Sequence, residues 1–187
     1  MTHPKILLRQ ASATIFAALL PCLGGHAQDR CQAFNLETLP KREVRAVWLT
    51  TLSNLDWPKG YATTQEGIER QKRQLTEILD RYAEANINTV LFQARVRATT
   101  TYPSALEPWD RCLTGQEGRA PGYDPLRFAI EECHKRGMEL HAWLATIPCG
   151  PWTSLGCRRL RAKGLRLRKL DGAGYLDPSN ERVAPYL

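Results

Sequence analysis

The sequence predicts an α/β domain in which parallel strands alternate with helices, as in part of a (β/α)8 barrel. Three apolar runs rich in strand-forming residues are spaced along the chain, at residues 43–50, 88–95 and 138–146. Stretches with helical periodicity separate these runs, and such alternation favours parallel strands joined by right-handed crossovers. The chain has 187 residues, 43% of them hydrophobic, and no low-complexity tract, so it is expected to bury a core.

Residues 1–27 have the pattern of an export signal. A positively charged start precedes an apolar run at residues 11–23, and Gly25 and Ala27 form a small-x-small cleavage pattern. The apolar run is shorter than the ~20 residues that a membrane-spanning helix needs. We therefore expect cleavage after Ala27, a polar lead at residues 28–40, no stable membrane anchor after cleavage, and a periplasmic or extracellular location.

The first strand and the first helix follow this lead. Residues 43–50 form the first predicted strand, which ends at a turn-like segment, residues 53–58. Thr63 and Glu66 have the spacing of a capping box, which marks a helix start. Apolar residues then recur at helical spacing, and we expect this helix to end near Asn86.

The second strand, residues 88–95, leads into a long loop and then into a second helix. Asp124 is a favoured N-cap residue, and Pro125 is tolerated at the first helical position. Gly137 stands where a left-handed residue ends a helix. The third strand is expected over residues 138–146.

The rest of the chain is predicted to add a helix over residues 155–169, a short fourth strand or strand-like turn over residues 174–177, and the start of a helix at Ser179. The mature length, 187 − 27 = 160 residues, is well below the ~250 residues of a closed barrel. A small open sheet and an incomplete barrel both fit this length. The ending within a helix pattern favours the second, with residues 41–187 as a partial barrel domain truncated after about the fourth strand.

Charge and cysteines limit the partners. The formal net charge is +7, and the excess is concentrated in residues 157–169. Such a run more often forms a solvated helix face than a nucleic-acid-binding surface, so no nucleic-acid partner is expected. Cys133 is expected to be a small buried hydrophobe, and a Cys149–Cys157 bridge is one option. A lipoprotein attached through Cys22 is the alternative to signal cleavage, but the rigid Pro21 stands where a small residue is wanted.

Candidate site residues follow all three strands. Ligands of parallel α/β proteins bind beyond the carboxyl ends of the strands. Aromatic rings stack on the apolar faces of sugars, and polar side chains bind hydroxyl groups by directional hydrogen bonds. We therefore predict a site for a polyhydroxylated ligand, formed by Asp56, Trp57, Gln93, Arg95, Trp109, His141 and Trp143, with Tyr102, Glu107 and Asp110 in the same loops.

Each of these residues has a structural alternative. Trp57 and Trp109 are equally well explained as loop anchors, and His141 as a core histidine. Gln93 and Arg95 are the polar tips of a strand if they bind nothing. No GxSxG, GxGxxG or P-loop pattern occurs, no CxxC pair occurs, and none of the four histidines are paired at metal spacing. No cofactor and no metal are therefore expected.

Several ordered motifs resemble the glycosyl hydrolase-like 10 family of exported bacterial proteins. They are residues 43–51 with 56–58, 88–95, 107–109, 113–115, 121–126, 134–137 with 139–143, and 176–178 with Asn180. The resemblance runs from about residue 41 to the end of the chain. Residues 99–103 and 146–148 resemble the branch found in Bacteroides-type gut bacteria.

The resemblance implies an exported TIM-barrel glycoside hydrolase that acts on cell-wall or other polysaccharide, with the glycan of peptidoglycan as one option. Two segments depart from the family's common pattern. Residues 97–101 replace Arg-x-x-Gly-Asp after the second strand, and residues 145–148 replace Asn-Pro-Tyr-Arg after the third. These departures remove an acid and an arginine, so the substrate need not be that of the common form.

Glycoside hydrolysis uses two carboxylates at a set separation. The loop acids near predicted strand ends are Asp56, Glu107, Asp110 and Asp177, and none has the sequence context of a catalytic acid. Barrels that resemble this one usually place these acids on the fourth and later strands. We therefore expect this chain to supply substrate-binding walls and to be inactive alone. The alternatives are a non-catalytic glycan-binding domain and, less favoured, a basic binder of anionic polymers.

Overall fold

Three parallel strands and two long helices alternate from residue 46 to residue 144. The structure, a computed structural model, describes residues 43–187, so the predicted export signal, the polar lead, Cys22 and Cys31 lie outside the described residues. The elements are β1 (Ala46–Leu49), α1 (Gln65–Glu84), β2 (Thr89–Arg95), α2 (Arg111–Thr114), α3 (Pro125–Lys135) and β3 (Glu139–Leu144). The strands pair in the order β1-β2-β3. This confirms the predicted α/β class and is consistent with part of a TIM barrel.

Side-chain caps fix where the two long helices begin. Asp124 caps α3 as predicted, because its carboxylate accepts a hydrogen bond from the Arg127 N–H at 3.0 Å. The cap of α1 is Thr64, whose hydroxyl accepts from the Gly67 N–H at 3.1 Å. The predicted capping box, which began at Thr63, was therefore wrong by one residue.

The two faces of the parallel sheet differ in burial. Leu49 and Phe92, on the face toward the helices, are fully buried with Leu75 and Leu79 of α1. The opposite face is open among the described residues: Trp48 of β1 is 57% exposed. In a closed barrel this second face lines the interior, so the described strands carry a barrel-type sheet with an uncovered inner surface.

The strand predicted over residues 174–177 is present, but it is not a fourth strand of the parallel sheet. Residues 174–177 fall mainly in β6 (Ala173–Leu176), which lies between β4 (Pro148–Pro151) and β5 (Leu167–Leu170) in a separate antiparallel sheet. The β5–β6 turn explains the pairing. Asp171 and Gly172 both have positive φ angles, 47° and 76°, which suits a two-residue hairpin loop.

The predicted basic helix was half correct. The fourth helix, α4, covers only Leu155–Ala162, because Gly164, with φ of 76°, ends it and the chain then enters β5. The helix predicted from Ser179 is instead a set of turns followed by a 3-10 helix, Ala184–Tyr186.

Most of the basic run has partners within the chain. Arg161 stacks on Trp152 with its guanidinium carbon 4.2 Å from the ring centroid and donates to the Trp152 carbonyl oxygen at 2.8 Å. Arg168 donates to the Asp177 carboxylate at 3.0 Å, and Arg166 lies 3.6 Å from the same oxygen. These side chains hold the antiparallel sheet together, which weakens the reading of the run as a grip for an anionic polymer.

Asp177 gives this region an expected acid sensitivity. Hydrogen bonds from Ser179, and then the Arg168 guanidinium, lower the pKa of Asp177 from 3.8 to about 2. A lowered pKa contributes stability above pH 3.8 that is lost as the pH falls through about 2. The unfolding free energy of Asp177→Asn, measured by urea titration, should therefore fall less than that of the wild type between pH 5 and pH 2. Equal losses in the two proteins would contradict this assignment.

The four cysteines among residues 43–187 are buried free thiols. Cys133 is buried in the core formed by α1, α3 and the parallel sheet, as predicted. Cys112, Cys149 and Cys157 are also buried free thiols, and Cys157 Sγ donates to the Cys149 carbonyl oxygen at 3.1 Å instead of forming a bridge. Among residues 43–187, no helix is both long enough and apolar enough to cross a membrane.

Candidate functional site

A large cavity lies beyond the carboxyl ends of the parallel strands. It has a volume of about 650 Å³ and is bounded by the segments after β1, β2 and β3, in keeping with the rule for parallel α/β sheets. Its polar and aromatic lining residues are Ser53, Asn54, Tyr61, Arg97, Thr99, Asp110, Arg111, Glu117, Thr153 and Ser154. We call this the large cavity.

A second cavity of about 480 Å³ adjoins the first. Both are lined by Leu52, Val96, Arg97, Gly150 and Pro151, so they share a wall at the end of β2. The second, which we call the small cavity, is also lined by Gln93, Trp143, Asp171 and Tyr175. Together the two form one strand-end cleft, which contains two of the seven predicted site residues, Gln93 and Trp143.

The backbone around the cleft contains residues in an unfavourable conformation. Ser53 and Asn54 after β1, and Ala98 after β2, have φ angles of 54°, 57° and 56°. Such left-handed residues other than glycine cost on the order of 1–3 kcal/mol and cluster at functional sites. Asn54 also donates from Nδ2 to the carbonyl oxygens of Pro58 and Cys112, both at 2.7 Å, so its strained conformation ties two loops together.

Gln93 joins the ends of β1 and β2 and still has a free donor. Its Oε1 accepts hydrogen bonds from the Thr50 hydroxyl at 2.6 Å and from the Thr51 and Leu52 N–H groups at 3.0 Å. Its amide nitrogen has no partner among residues 43–187, where no buried side-chain polar atom lacks one. This nitrogen therefore reaches accessible space, and the side chain lines the small cavity.

Arg95 is held in a buried ion pair. Its Nε and Nη2 donate to the two carboxylate oxygens of Glu107 at 2.7 and 2.6 Å, and both side chains are only 6% exposed. Its Nη1 donates to the carbonyl oxygens of Ala145 and Thr146. Burial opposes the charge of Arg95, but the hydrogen bonds and charge of Glu107 outweigh this effect and raise its pKa. Arg95 thus positions the loops after β2 and β3.

The tryptophan and aspartate after β1 are structural. Trp57 is fully buried, its Nε1 donates to the Gln71 carbonyl oxygen at 2.9 Å, and its ring packs 5.9 Å from that of Phe92. A ring without exposed surface offers no face to a sugar, so the prediction of Trp57 as a ligand contact is corrected to its alternative, a loop anchor. Asp56 accepts from the Thr50 N–H at 2.8 Å and closes the same turn.

The loop after β2 uses its own predicted residues for packing. Trp109 is half-buried and packs against the main core together with Tyr102, and it lines neither cavity of the cleft. Asp110 lines the large cavity, but its carboxylate accepts from the Cys112 N–H at 2.7 Å and from the Thr99 hydroxyl at 2.5 Å. It therefore acts as the N-cap of α2.

His141 and Trp143 lie on the open face of β3. The His141 side chain is 58% exposed and lies 3.2 Å from the Glu139 carboxylate, so it is a surface histidine and not the core histidine of the alternative reading. Trp143 is half-buried, and its ring meets that of Trp48 edge to face at 4.8 Å. Trp143 also lines the small cavity, which His141 does not.

Most residues that line the cleft were not predicted from the sequence. Among them are the two tyrosines and two arginines Tyr61, Arg97, Arg111 and Tyr175. Arg97 lies two residues after the end of β2 and could have been found by extending the strand-end rule by two residues. Tyr175 could not, because it reaches the cleft through the antiparallel sheet that the sequence analysis did not predict.

The carboxylates of the cleft do not form a free pair. The Glu117 carboxylate accepts from the Leu155 and Gly156 N–H groups at the start of α4, at 2.9 and 2.8 Å, and Asp110 caps α2. Hydrolysis of a glycosidic bond uses two carboxyl groups, whereas Asp171 is the one cleft acid among residues 43–187 whose carboxylate has no partner. Within residues 43–187 no cluster of three His, Cys, Asp or Glu side chains could hold a metal ion.

The parallel strands, the uncovered inner sheet face and the strand-end cleft define a barrel-type α/β protein. The comparison with known families gives this class a name. The chain belongs to the glycosyl hydrolase-like 10 family, which matches residues 43–151, more than half of its length. The match covers the three parallel strands and ends with β4. The motif at residues 176–180 lies outside it, and the Bacteroides-type branch stays a prediction.

Two curated relatives of this chain are named as glycosyl hydrolases. The chain is 44% identical over 102 residues to glycosyl hydrolase YngK of Bacillus subtilis (strain 168), covering 54% of this chain and 19% of the relative. It is 40% identical over 104 residues to glycosyl hydrolase DigH of Escherichia coli (strain K12), covering 54% of this chain and 24% of the relative. The chain thus matches only about a fifth to a quarter of the length of these relatives.

Proposed function

We propose that this chain is the substrate-binding part of an exported glycoside hydrolase that acts on cell-wall or other polysaccharide. The observation that carries the proposal is the small cavity. There Gln93, a residue that is 3% exposed and whose amide nitrogen has no partner among residues 43–187, lies in the same lining as the two half-buried rings Trp143 and Tyr175. Rings that stack on sugar faces beside donors for hydroxyl groups are the features that a glycan site needs.

The catalytic acids of the proposed enzyme lie outside residues 43–187. The cleft contains one unpartnered carboxylate, Asp171, and its other acids hold helix N-termini. The curated relatives are glycosyl hydrolases, and this chain matches only a small share of their length. The proposal therefore places substrate binding in this chain and bond cleavage in further strands of a complete barrel.

Replacing Trp143 should weaken glycan binding. Trp143→Ala removes a ring from the small cavity, and we expect the Kd for a soluble peptidoglycan-derived oligosaccharide to rise about tenfold, ~1.4 kcal/mol. Trp152→Ala is the matched control, because Trp152 is also half-buried but lines neither cavity. Isothermal titration calorimetry measures both. Equal effects of the two substitutions would contradict the assignment of the small cavity.

The catalytic part of the proposal has its own test. The purified chain should release no reducing ends from peptidoglycan or from other glycans that it binds. Hydrolysis by this chain alone would contradict the proposal that the catalytic acids lie outside residues 43–187. Binding without hydrolysis in every longer form of the protein would instead favour a non-catalytic glycan-binding domain.

Export rests on the N-terminal sequence pattern. The charged start, the apolar run and the small residues before Gln28 support cleavage after Ala27. When the chain is produced in a bacterial host, the proposal expects it in the periplasm or medium with Gln28 as its first residue. An uncleaved N-terminus in the cytosolic fraction would contradict it, and acylation at Cys22 would indicate the lipoprotein alternative.

A further inference from the structure

Two cations in the large cavity have no partner. Arg97 and Arg111 are exposed and line this cavity, and neither guanidinium group makes a hydrogen bond or an ion pair with any residue in the range 43–187. Arg95 and Arg136 are paired with carboxylates, and Arg161 is stacked on a ring. Other arginines without a side-chain partner among residues 43–187, such as Arg158 and Arg159, line neither cavity.

The acids near these arginines are already engaged. Both carboxylate oxygens of Asp110 accept hydrogen bonds within the chain, from the Cys112 N–H and the Thr99 hydroxyl. Both oxygens of Glu117 accept from N–H groups at the start of α4, where the helix dipole favours a negative charge. The large cavity therefore has two guanidinium groups with their donors free, while each carboxylate oxygen of its acids already accepts one hydrogen bond.

The chain holds each arginine at the cavity wall. The aliphatic stem of Arg97 crosses Gly150, where an added Cβ would lie 3.3 Å from Arg97 Cβ and 3.4 Å from Cδ. Gly150 has a φ angle of 76° and no side chain, so the Arg97 stem can lie against the backbone there. Arg111 is the first residue of α2, directly after the capping Asp110. The Arg97 stem is thus held by its packing on Gly150, and the Arg111 backbone is held as part of α2.

We infer that Arg97 and Arg111 bind a carboxylate group carried by a sugar of the glycan, which makes the large cavity a subsite for an acidic sugar unit. Guanidinium groups match the planar geometry of a carboxylate with paired donors. Arg97 lines both cavities, so one glycan can place an acidic unit in the large cavity and a neutral unit against Trp143 and Tyr175 in the small one. This inference rests on the proposed glycan-binding function.

A sugar carboxylate has two chemical sources, a hexuronic acid and a lactyl ether of an amino sugar. The experiment separates them with two matched pairs of tetrasaccharides. Tetragalacturonate is compared with its methyl ester, and a tetrasaccharide of alternating N-acetylglucosamine and N-acetylmuramic acid is compared with N-acetylglucosamine tetrasaccharide. In the first pair the neutral probe has methyl esters in place of the carboxylates. In the second pair the neutral probe lacks the lactyl ethers that carry the carboxylates.

The wild-type chain should bind the charged member of at least one pair more tightly than the neutral member, by calorimetry at low salt. Arg97→Gln and Arg111→Gln should each reduce that preference about threefold to tenfold, the range for exposed charge-assisted hydrogen bonds. Affinity of Arg111→Gln for the neutral probe should be unchanged, because Arg111 lines the large cavity and not the small one. Arg158→Gln is the control, because Arg158 is exposed on α4 and lines neither cavity. Thermal melts establish that each variant is folded.

The outcomes distinguish the inference from the function on which it rests. Equal affinity of the wild type for charged and neutral probes overturns the acidic subsite and leaves glycan binding intact. A charge preference that survives Arg97→Gln and Arg111→Gln, singly and together, also overturns it. No binding of any of the four probes overturns both the subsite and the proposed glycan-binding role.

Discussion

Arg95→Met should reduce the free energy of unfolding by about 3–5 kcal/mol, the effect of removing one partner of a buried ion pair. The substitution leaves the Glu107 carboxylate buried, with the Tyr186 hydroxyl at 2.9 Å as its remaining side-chain donor. It also removes the hydrogen bonds to the carbonyl oxygens of Ala145 and Thr146, which fix the chain after β3. Denaturant unfolding followed by circular dichroism measures the loss.

Two further variants show that the loss comes from the buried pair. Arg127→Met breaks the exposed pair between Arg127 and Glu131, and should change stability by less than about 1 kcal/mol. The double variant Arg95→Met with Glu107→Leu removes both buried charges and should recover part of the loss. If Arg95→Met kept wild-type stability and lost glycan affinity, Arg95 would be a ligand contact, as the sequence analysis predicted.

Trp57→Ala should have an effect of similar size, about 3–5 kcal/mol, because it empties a large fully buried site in the core. The ring packs on Phe92, and its Nε1 donor satisfies the Gln71 carbonyl oxygen, which would then lose that partner. With the total stability of a domain at about 5–15 kcal/mol, the thermal transition should shift strongly downward. Differential scanning calorimetry measures this shift.

The same substitution at Trp143 provides the comparison. Trp143 is half-buried at the open face of β3, so Trp143→Ala should destabilise the chain much less than Trp57→Ala. Its main effect should be on glycan affinity. A reversed pattern, with Trp143→Ala as the more destabilising change, would contradict the assignment of one ring to the core and the other to the cleft.

The sequence was sufficient for the parallel part of the fold because local patterns and tertiary packing agree there. Residues 88–95 are a buried strand by composition, and Asp124-Pro125 is a helix start by capping chemistry, and both are confirmed. The antiparallel sheet was missed for a physical reason. The basic run before Gly164 continues with arginines and lysines into β5, so periodicity alone extended the helix through a turn. The hairpin pair Asp171-Gly172 was the available clue.

The site was harder to predict than the fold because residue type does not determine burial. Trp57 and Trp143 look alike in sequence, each near a strand end, yet one is in the core and the other lines the small cavity. Arg95 and Arg97 are two residues apart, and the first is paired with Glu107 while the second is free in the cleft. The difference comes from Glu107, which lies 12 residues after Arg95 in the sequence and pairs with Arg95 in the fold.

The most direct test of the central claim is nuclear magnetic resonance of the tryptophan indole groups during a titration with a soluble glycan fragment. The chain has five tryptophans, and single Trp→Phe variants assign their Nε1–H signals. We expect the chemical shift of the Trp143 signal to change with glycan concentration and to reach a plateau. The signal of the buried Trp57 should not move. A titration that shifts Trp57 or Trp152 and leaves Trp143 unchanged would contradict a glycan-binding cleft at the ends of these strands.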